Sequence, residues 1–122
     1  NSTIDYESNT TYSLTATATN EAGTSNSVTV TIEVTNVQDT VPTLSNFSGT
    51  INENSTGGTS VGNLVITTTG DSAITNIDLN ETDTFIISTT GVISVKSGVT
   101  IDYETKSVYN LTATATNSSG SS

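Results

Sequence analysis

The chain reads Ile101-Asp102-Tyr103-Glu104 and then, after four residues, Tyr109-Asn110-Leu111-Thr112-Ala113-Thr114-Ala115-Thr116-Asn117. In the second segment, apolar and polar residues alternate at a spacing of two. Tyr109, Leu111, Ala113 and Ala115 share one face, and polar side chains occupy the other. Strict alternation is typical of a strand with one buried and one solvated face. The stretch therefore predicts a turn followed by a half-buried β-strand.

The same pattern occurs 97 residues earlier. Ile4-Asp5-Tyr6-Glu7 precedes a segment that begins at Tyr12 and ends at Asn20, and 15 of the 25 positions in residues 1–25 are identical to those in residues 98–122. Such identity at a fixed offset indicates an internal repeat. The chain is thus one 97-residue period plus a 25-residue overlap, and it enters the repeat partway through.

The rest of the period also has the pattern of β-strands. Val28, Val30, Ile32 and Val34 alternate with Thr29, Thr31, Glu33 and Thr35, so we expect the first set to face inward, as we expect of Tyr12, Leu14, Ala16 and Ala18. Further strands are predicted near residues 44–51, 61–67, 74–79, 85–88, 92–95 and 109–116. About seven short strands per period predict an all-β, immunoglobulin-like Greek-key sandwich, arranged in tandem.

Composition excludes several classes of function. Twelve acidic residues stand against two basic ones, Lys96 and Lys106, and a net charge of -10 disfavours contact with nucleic acid or anionic membranes. The chain has no His and no Cys, so the usual nucleophiles and general bases are scarce, and we predict that it is not an enzyme. No apolar run approaches the roughly 20 residues of a membrane span, so direct membrane insertion by this segment is not expected. Because charged residues are few, the polar surface is supplied mainly by 28 Thr and 18 Ser residues.

These motifs resemble those of cadherin repeats in tandem-repeat surface proteins of the prokaryotic type. The two Ile-Asp-Tyr-Glu tetrads are similar to the family's L-D-x-E motif, and a Tyr-x-Leu-x-x-x-Ala strand follows each. Asn52-Glu53-Asn54 resembles the early Glu segment. Residues 36–42, Asn36-Val37-Gln38-Asp39-Thr40-Val41-Pro42, resemble the D-x-N-D-N-x-P linker. The resemblance implies that residues 1–36 are the last two strands of one repeat, 37–42 the linker and 43–122 the first six strands of the next.

The resemblance also implies Ca²⁺ at the junctions between repeats, held by hard oxygen ligands. At the visible junction the implied ligands are Asp5, Glu7, Asn36, the Val37 carbonyl, Asp39 and Asp71. Glu53, Asp102 and Glu104 would serve the following junction. Several positions depart from the family pattern: Asn36 replaces Asp, Gln38 and Thr40 replace Asn, and Thr69-Gly70-Asp71 keeps one carboxylate of D-x-D. Fewer charges predict weaker binding, and the alternative is a metal-free linker in which Asp5 and Glu7 accept N–H bonds at a turn.

Asn-x-Ser/Thr sequons are dense in this chain. They occur at Asn1, Asn9, Asn46, Asn54, Asn80, Asn110 and Asn117. One interpretation is a glycosylated surface protein. The other is that a sequence rich in Asn, Ser and Thr produces sequons by chance.

The predicted function is an extracellular, cell-surface structural repeat that forms a stalk or filament and is stiffened by Ca²⁺. Its partners would be further copies of the same repeat. A first alternative is an adhesive module that binds another cadherin-like domain or a glycan. A second is a filament subunit: residues 43–122 lack a seventh strand, and residues 26–36 could supply one to another copy by strand exchange. The competing interpretation is that the missing strand follows Ser122 in a longer array.

Overall fold

The computed structural model describes residues 2–122, and the sequon at Asn1 lies outside them. The described residues are all β, with no helix, so they contain no helix that could cross a membrane. The chain divides into two compact units, residues Asn1–Val37 and Gln38–Ser122.

The first unit consists of two antiparallel hairpins. Strands β1 (Thr11–Ala16) and β4 (Val28–Glu33) pair along their whole length, so that Tyr12 faces Ile32, Leu14 faces Val30 and Ala16 faces Val28. Strands β2 (Thr19–Asn20) and β3 (Gly23–Thr24) form a short hairpin between them. Tyr12 and Val34 are half-buried, whereas the other residues predicted to face inward are exposed, because no second sheet covers the β1–β4 pair within this unit.

The second unit contains eight strands in three small antiparallel sheets. The sheets have the strand orders β6-β10-β9, β12-β11-β8 and β5-β7. The strands are β5 (Thr43–Leu44), β6 (Ser60–Asn63), β7 (Ile66–Thr68), β8 (Asn76–Leu79), β9 (Phe85–Ile87), β10 (Val92–Val95), β11 (Ala113–Asn117) and β12 (Gly120–Ser121).

The core of the second unit lies between its sheets and comprises Leu64, Leu79, Phe85, Ile93, Val95 and Ile101. Phe85 also meets Tyr109 edge to face, with ring centroids 4.9 Å apart. These core residues come from strands and loops of different sheets. The interior is therefore that of a two-layered sandwich, which confirms the predicted fold class.

Two predicted strands are much shorter than the pattern indicated, by several residues each. The strand predicted at residues 44–51 ends at Leu44, and the one predicted at 109–116 begins at Ala113. The residues missing from both strands line one groove. The strand predicted at 61–67 is interrupted at Leu64, whose side chain turns into the core.

Hydroxyl pairs tie neighbouring segments together on the surface of both units. Oγ–Oγ distances are 2.9 Å for Thr19–Thr24 and 2.8 Å for the corresponding pair Thr116–Ser121. A similar pair, Ser72–Ser118 at 2.7 Å, joins two loops of the second unit. Cross-strand Thr and Ser hydrogen bonds are a recognised stabilising element of antiparallel sheets.

Candidate metal site

The two Ile-Asp-Tyr-Glu tetrads form the same turn. In the second unit the Asp102 carboxylate accepts a bond from the backbone N–H of Glu104 at 3.1 Å and from the Thr105 hydroxyl at 2.5 Å. In the first unit the Asp5 carboxylate accepts from Glu7 N–H at 3.1 Å and from the Ser8 hydroxyl at 2.6 Å. Asp is suited to such turns because its short side chain reaches the backbone two residues on. The repeated sequence thus encodes a repeated local structure.

These hydrogen bonds favour the ionised form of the two turn carboxylates. Donation from the Thr105 hydroxyl holds the pKa of Asp102 below its usual value, and donation from the Ser8 hydroxyl does the same for the pKa of Asp5. A donor aimed at a carboxylate stabilises the charged form. An exposed Asp is anionic at neutral pH in any case, and these bonds favour that charged form, which is a hard oxygen ligand.

Two backbone hydrogen bonds bring Glu53 to the second turn. Asn54 N–H donates to the Ile101 carbonyl at 2.7 Å, and Ile101 N–H donates to the Ser55 carbonyl at 2.9 Å. Ile101 itself is buried in the core, so the turn that follows it is fixed to the sandwich. Asn54 adopts φ 65°, in the left-handed region that Asn tolerates better than most residues.

A carboxylate cluster results at this point of the second unit. One carboxylate oxygen each from Glu53, Asp102 and Glu104 lies within 4.8 Å of the others, and all three side chains are exposed. Three like charges at this separation repel one another and attract a cation. Sequence analysis grouped these three residues, and the structure brings them together.

The residues of the predicted junction are divided between the two units. Asp5, Glu7, Asn36 and Val37 belong to the first unit, and Asp39 and Asp71 belong to the second. Within the second unit the Asp71 carboxylate accepts the backbone N–H groups of Asp39 at 2.9 Å and Thr40 at 2.8 Å. Asp71 thus fixes the linker residues that begin the second unit. The six-ligand set at this junction stays a prediction.

Asn117 has a structural role that the sequence did not reveal. Its side chain is 4% exposed; Nδ2 donates to the carbonyls of Thr40 at 3.0 Å and Thr69 at 2.9 Å, and Oδ1 accepts the N–H groups of Ser119 and Gly120. A glycan on Nδ2 would replace one of its two hydrogens and so break at least one of these donor bonds in a buried site. The identical position in the first copy, Asn20, is exposed and accepts a single bond, from Ala22 N–H. Both copies have Gly three residues after this Asn, so the spacing does not distinguish the buried Asn117 from the exposed Asn20.

The remaining described sequons are on the surface. Asn9, Asn46, Asn54, Asn80 and Asn110 are all exposed. Asn80 uses its Oδ1 to accept the N–H of Thr112 at 2.8 Å. This bond leaves the Asn80 Nδ2, the atom that carries a glycan, uninvolved.

The comparisons with known proteins agree with this architecture. No family model and no curated protein matches the sequence. Among solved structures, the protocadherin GammaB4 extracellular domain matches with 25% identity and a TM-score of 0.73, over 98% of this chain and 20% of that one. Protocadherin Gamma B7 extracellular cadherin domains 1–4 match with 25% identity and a TM-score of 0.69, over 98% and 31%.

The chain therefore spans less than a third of either protocadherin structure. The likeness extends over nearly the whole chain. This likeness agrees with three features described above: the paired Asp turns, the early Glu segment and the two-layered core. The chain is a cadherin-like, all-β chain with the immunoglobulin-like sandwich fold.

Proposed function

We propose that this chain is part of an extracellular repeat protein that forms a stalk or filament, with Ca²⁺ stiffening the joints between repeats. The 97-residue internal repeat supports a tandem arrangement. The likeness to extracellular cadherin domains supports an extracellular module with an adhesive or structural role. The observation that carries the metal part of the proposal is the Glu53–Asp102–Glu104 cluster.

The donor chemistry of this cluster fits Ca²⁺. Ca²⁺ takes six to eight oxygen ligands and accepts flexible geometry, whereas Zn²⁺ and the later transition metals favour His or Cys, which this chain lacks. Three carboxylates supply part of such a shell and leave positions for further oxygens. In the proposed array those oxygens come from the linker that follows, by analogy with residues 36–39 of the predicted linker.

Ca²⁺ is expected to raise the melting temperature of the chain. At a concentration a hundredfold above its Kd, a ligand that binds the folded state alone stabilises by about 2.7 kcal/mol, which for a domain of this size is a shift of about 10 °C or more. Calorimetry with Ca²⁺ against a chelator measures the shift. Glu104→Gln should reduce the part of the shift that comes from this cluster, since the amide is a weaker ligand and leaves the Asp102 turn intact.

The matched control for that variant is Glu21→Gln, which makes the same charge change at an exposed position outside both predicted junctions. It should keep the full Ca²⁺ shift. If the wild-type chain melts at one temperature with and without Ca²⁺, neither this cluster nor the predicted junction at residues 36–42 binds Ca²⁺, and the stiffening role is wrong.

Glycosylation of the exposed sequons is the second part of the proposal. The sugars would add polarity to a surface that has few charged side chains. Intact mass of the protein from its natural source should show added glycan mass, and peptide mapping should place it on some of the five exposed sequons and leave Asn117 non-glycosylated. A mass equal to that of the polypeptide without glycans would mean that the sequons arise by chance from a composition rich in Asn, Ser and Thr.

A further inference from the structure

Most of the predicted linker belongs structurally to the second unit. That unit begins at Gln38, whereas the resemblance assigned residues 37–42 to the linker. We call residues 38–42 the strap. Two segments contact it: the loop of residues 69–72 and the turn at residues 117–120, which joins β11 to β12. The strap is therefore bound to segments that are distant from it in the sequence.

The middle of the strap is held through its main chain. The N–H of Thr40 donates to Asp71 Oδ2 at 2.8 Å, and its carbonyl accepts the N–H of Asp71 at 3.2 Å and Asn117 Nδ2 at 3.0 Å. The N–H of Asp39 donates to the same Asp71 oxygen at 2.9 Å. Hydrogen bonds to a carboxylate are stronger than those between neutral groups. One carboxylate and one buried amide thus fix two consecutive residues.

Side chains add contacts at both ends of the strap. Gln38 Oε1 accepts the hydroxyl of Ser118 at 3.0 Å. Gly120 lies so close to Val41 that a Cβ built on this glycine would be 3.3 Å from Val41 Cγ1. Pro42 is less than 2% exposed, and because proline has no N–H its burial leaves no donor unsatisfied. Every residue of the strap is therefore in contact with, or buried in, the second unit.

None of these contacts requires a bound ion. Each hydrogen bond joins an N–H or O–H donor directly to an oxygen of the same unit, and the contacts of Val41 and Pro42 are apolar. Val37, the residue immediately before the strap, is 72% exposed and belongs to the first unit. The chain thus passes from an exposed residue to a held segment within one step.

We propose that the strap stays docked on the second unit when no Ca²⁺ is bound, so that the ion-free joint turns about Val37 and the residues before it. Loss of Ca²⁺ then gives a short pivot and not a flexible tether of residues 37–42. The inference goes beyond the proposed function, which concerns the joint with Ca²⁺. It depends only on contacts within the second unit.

A docked strap reduces what an ion at this joint has to order. Fixing the backbone of a residue costs conformational entropy, and for the strap this cost falls on the folding of the second unit. Gln38 and Thr40, two of the positions that depart from the family pattern, are both held in this way. Preorganisation of this kind favours binding, because less freedom is lost when the ligand arrives.

The first experiment measures nitrogen-15 relaxation of the 122-residue chain in excess chelator. We expect backbone order parameters of about 0.85 at Asp39 and Thr40, the value of rigid backbone, and below about 0.6 at Val37. Equal order at Val37 and Asp39 would overturn the proposal, because either the strap is mobile or no pivot lies beside it. The chelator makes the result independent of the predicted calcium sites.

The second experiment compares two variants by amide hydrogen exchange in chelator. Asp71→Ala removes the acceptor of the two strap N–H groups. Asp39→Ala is the matched control, since it removes another carboxylate of the predicted junction and keeps the main-chain N–H. After correction for intrinsic rates, the Thr40 amide should exchange at least about tenfold faster in Asp71→Ala and at the wild-type rate in Asp39→Ala. The same acceleration in both variants would contradict the strap, because it would follow the acidic charge and not the hydrogen bond.

The Val95 amide, which donates to the Thr59 carbonyl at 2.9 Å, reports in each variant whether the second unit is folded. Asp71→Asn is a milder variant that removes the charge and keeps an oxygen able to accept the strap N–H groups. It should retain most of the Thr40 protection that Asp71→Ala loses. Wild-type protection of Thr40 in Asp71→Ala, with Val95 also protected, would show that Asp71 does not hold the strap and would overturn the proposal.

Discussion

Replacement of Asn117 by alanine is expected to destabilise the second unit by about 3 kcal/mol, because two carbonyls and two N–H groups lose their buried partner together. The carbonyls belong to Thr40 and Thr69, and the N–H groups to Ser119 and Gly120. A change of this size lowers the melting temperature of a domain of this length by more than about 10 °C. Denaturant or thermal unfolding of the purified variant measures it.

Two control variants separate the loss of these buried hydrogen bonds from the loss of any Asn side chain and from the loss of the sequon. Asn20→Ala alters the corresponding residue of the first copy, which is exposed and accepts one bond, and should cost under about 1 kcal/mol. Ser119→Ala removes the same sequon but keeps the backbone N–H that donates to Asn117 Oδ1, and it also removes a buried hydroxyl that has no hydrogen-bond partner. It should be neutral or stabilising. A loss in Ser119→Ala equal to that in Asn117→Ala would contradict the hydrogen-bond explanation.

Gly70→Ala is expected to be about as damaging, at about 3 kcal/mol or more. Gly70 has φ +74°, and a Cβ at this position would overlap the Thr40 carbonyl oxygen and lie 2.7 Å from Asn117 Nδ2. The variant therefore combines backbone strain with displacement of the linker that Asp71 fixes. Unfolding in denaturant gives the change in free energy.

Gly58→Ala is the matched control for that substitution. Gly58 has φ +91°, and a methyl group added there would have no atom within 4 Å. Gly58→Ala should therefore lower the free energy of unfolding by about 1 kcal/mol, which is the cost of the backbone strain alone. If Gly70→Ala and Gly58→Ala lose the same free energy of unfolding, crowding against Thr40 does not contribute.

Local patterns predicted the fold class well and the strand ends poorly. The alternation at Val28–Glu33 and at Val92–Val95 gives strands, as expected. The same alternation at residues 109–112 does not, because a strand requires a hydrogen-bonded neighbour and the sequence pattern reports only which face is apolar. Whether a neighbouring strand is present depends on the whole sheet, so the periodicity of one segment could not predict it.

Some residues of the candidate metal site could likewise be predicted from local sequence, and others could not. Asp102 and Glu104 could be predicted because their turn is encoded within four consecutive residues that occur twice. Glu53 was placed beside them by family resemblance, and the physical cause is a pair of backbone bonds to Ile101 that join segments far apart in the sequence. The role of Asn117 could not be predicted, since its carbonyl partners, Thr40 and Thr69, lie 77 and 48 residues away.

The hydroxyl pairs of the surface have a consequence for the environments in which the protein keeps its structure. Bonds such as Thr116–Ser121 and Ser72–Ser118 join neutral groups, so neither acidification nor added electrolyte weakens them as it weakens ion pairs. Of the two lysines, Lys96 donates to the Thr82 carbonyl and Lys106 lies 4.6 Å from the centroid of the Tyr109 ring. These neutral pairs therefore keep their strength over a wide range of pH and salt concentration, whereas the repulsion among the acidic side chains changes with both.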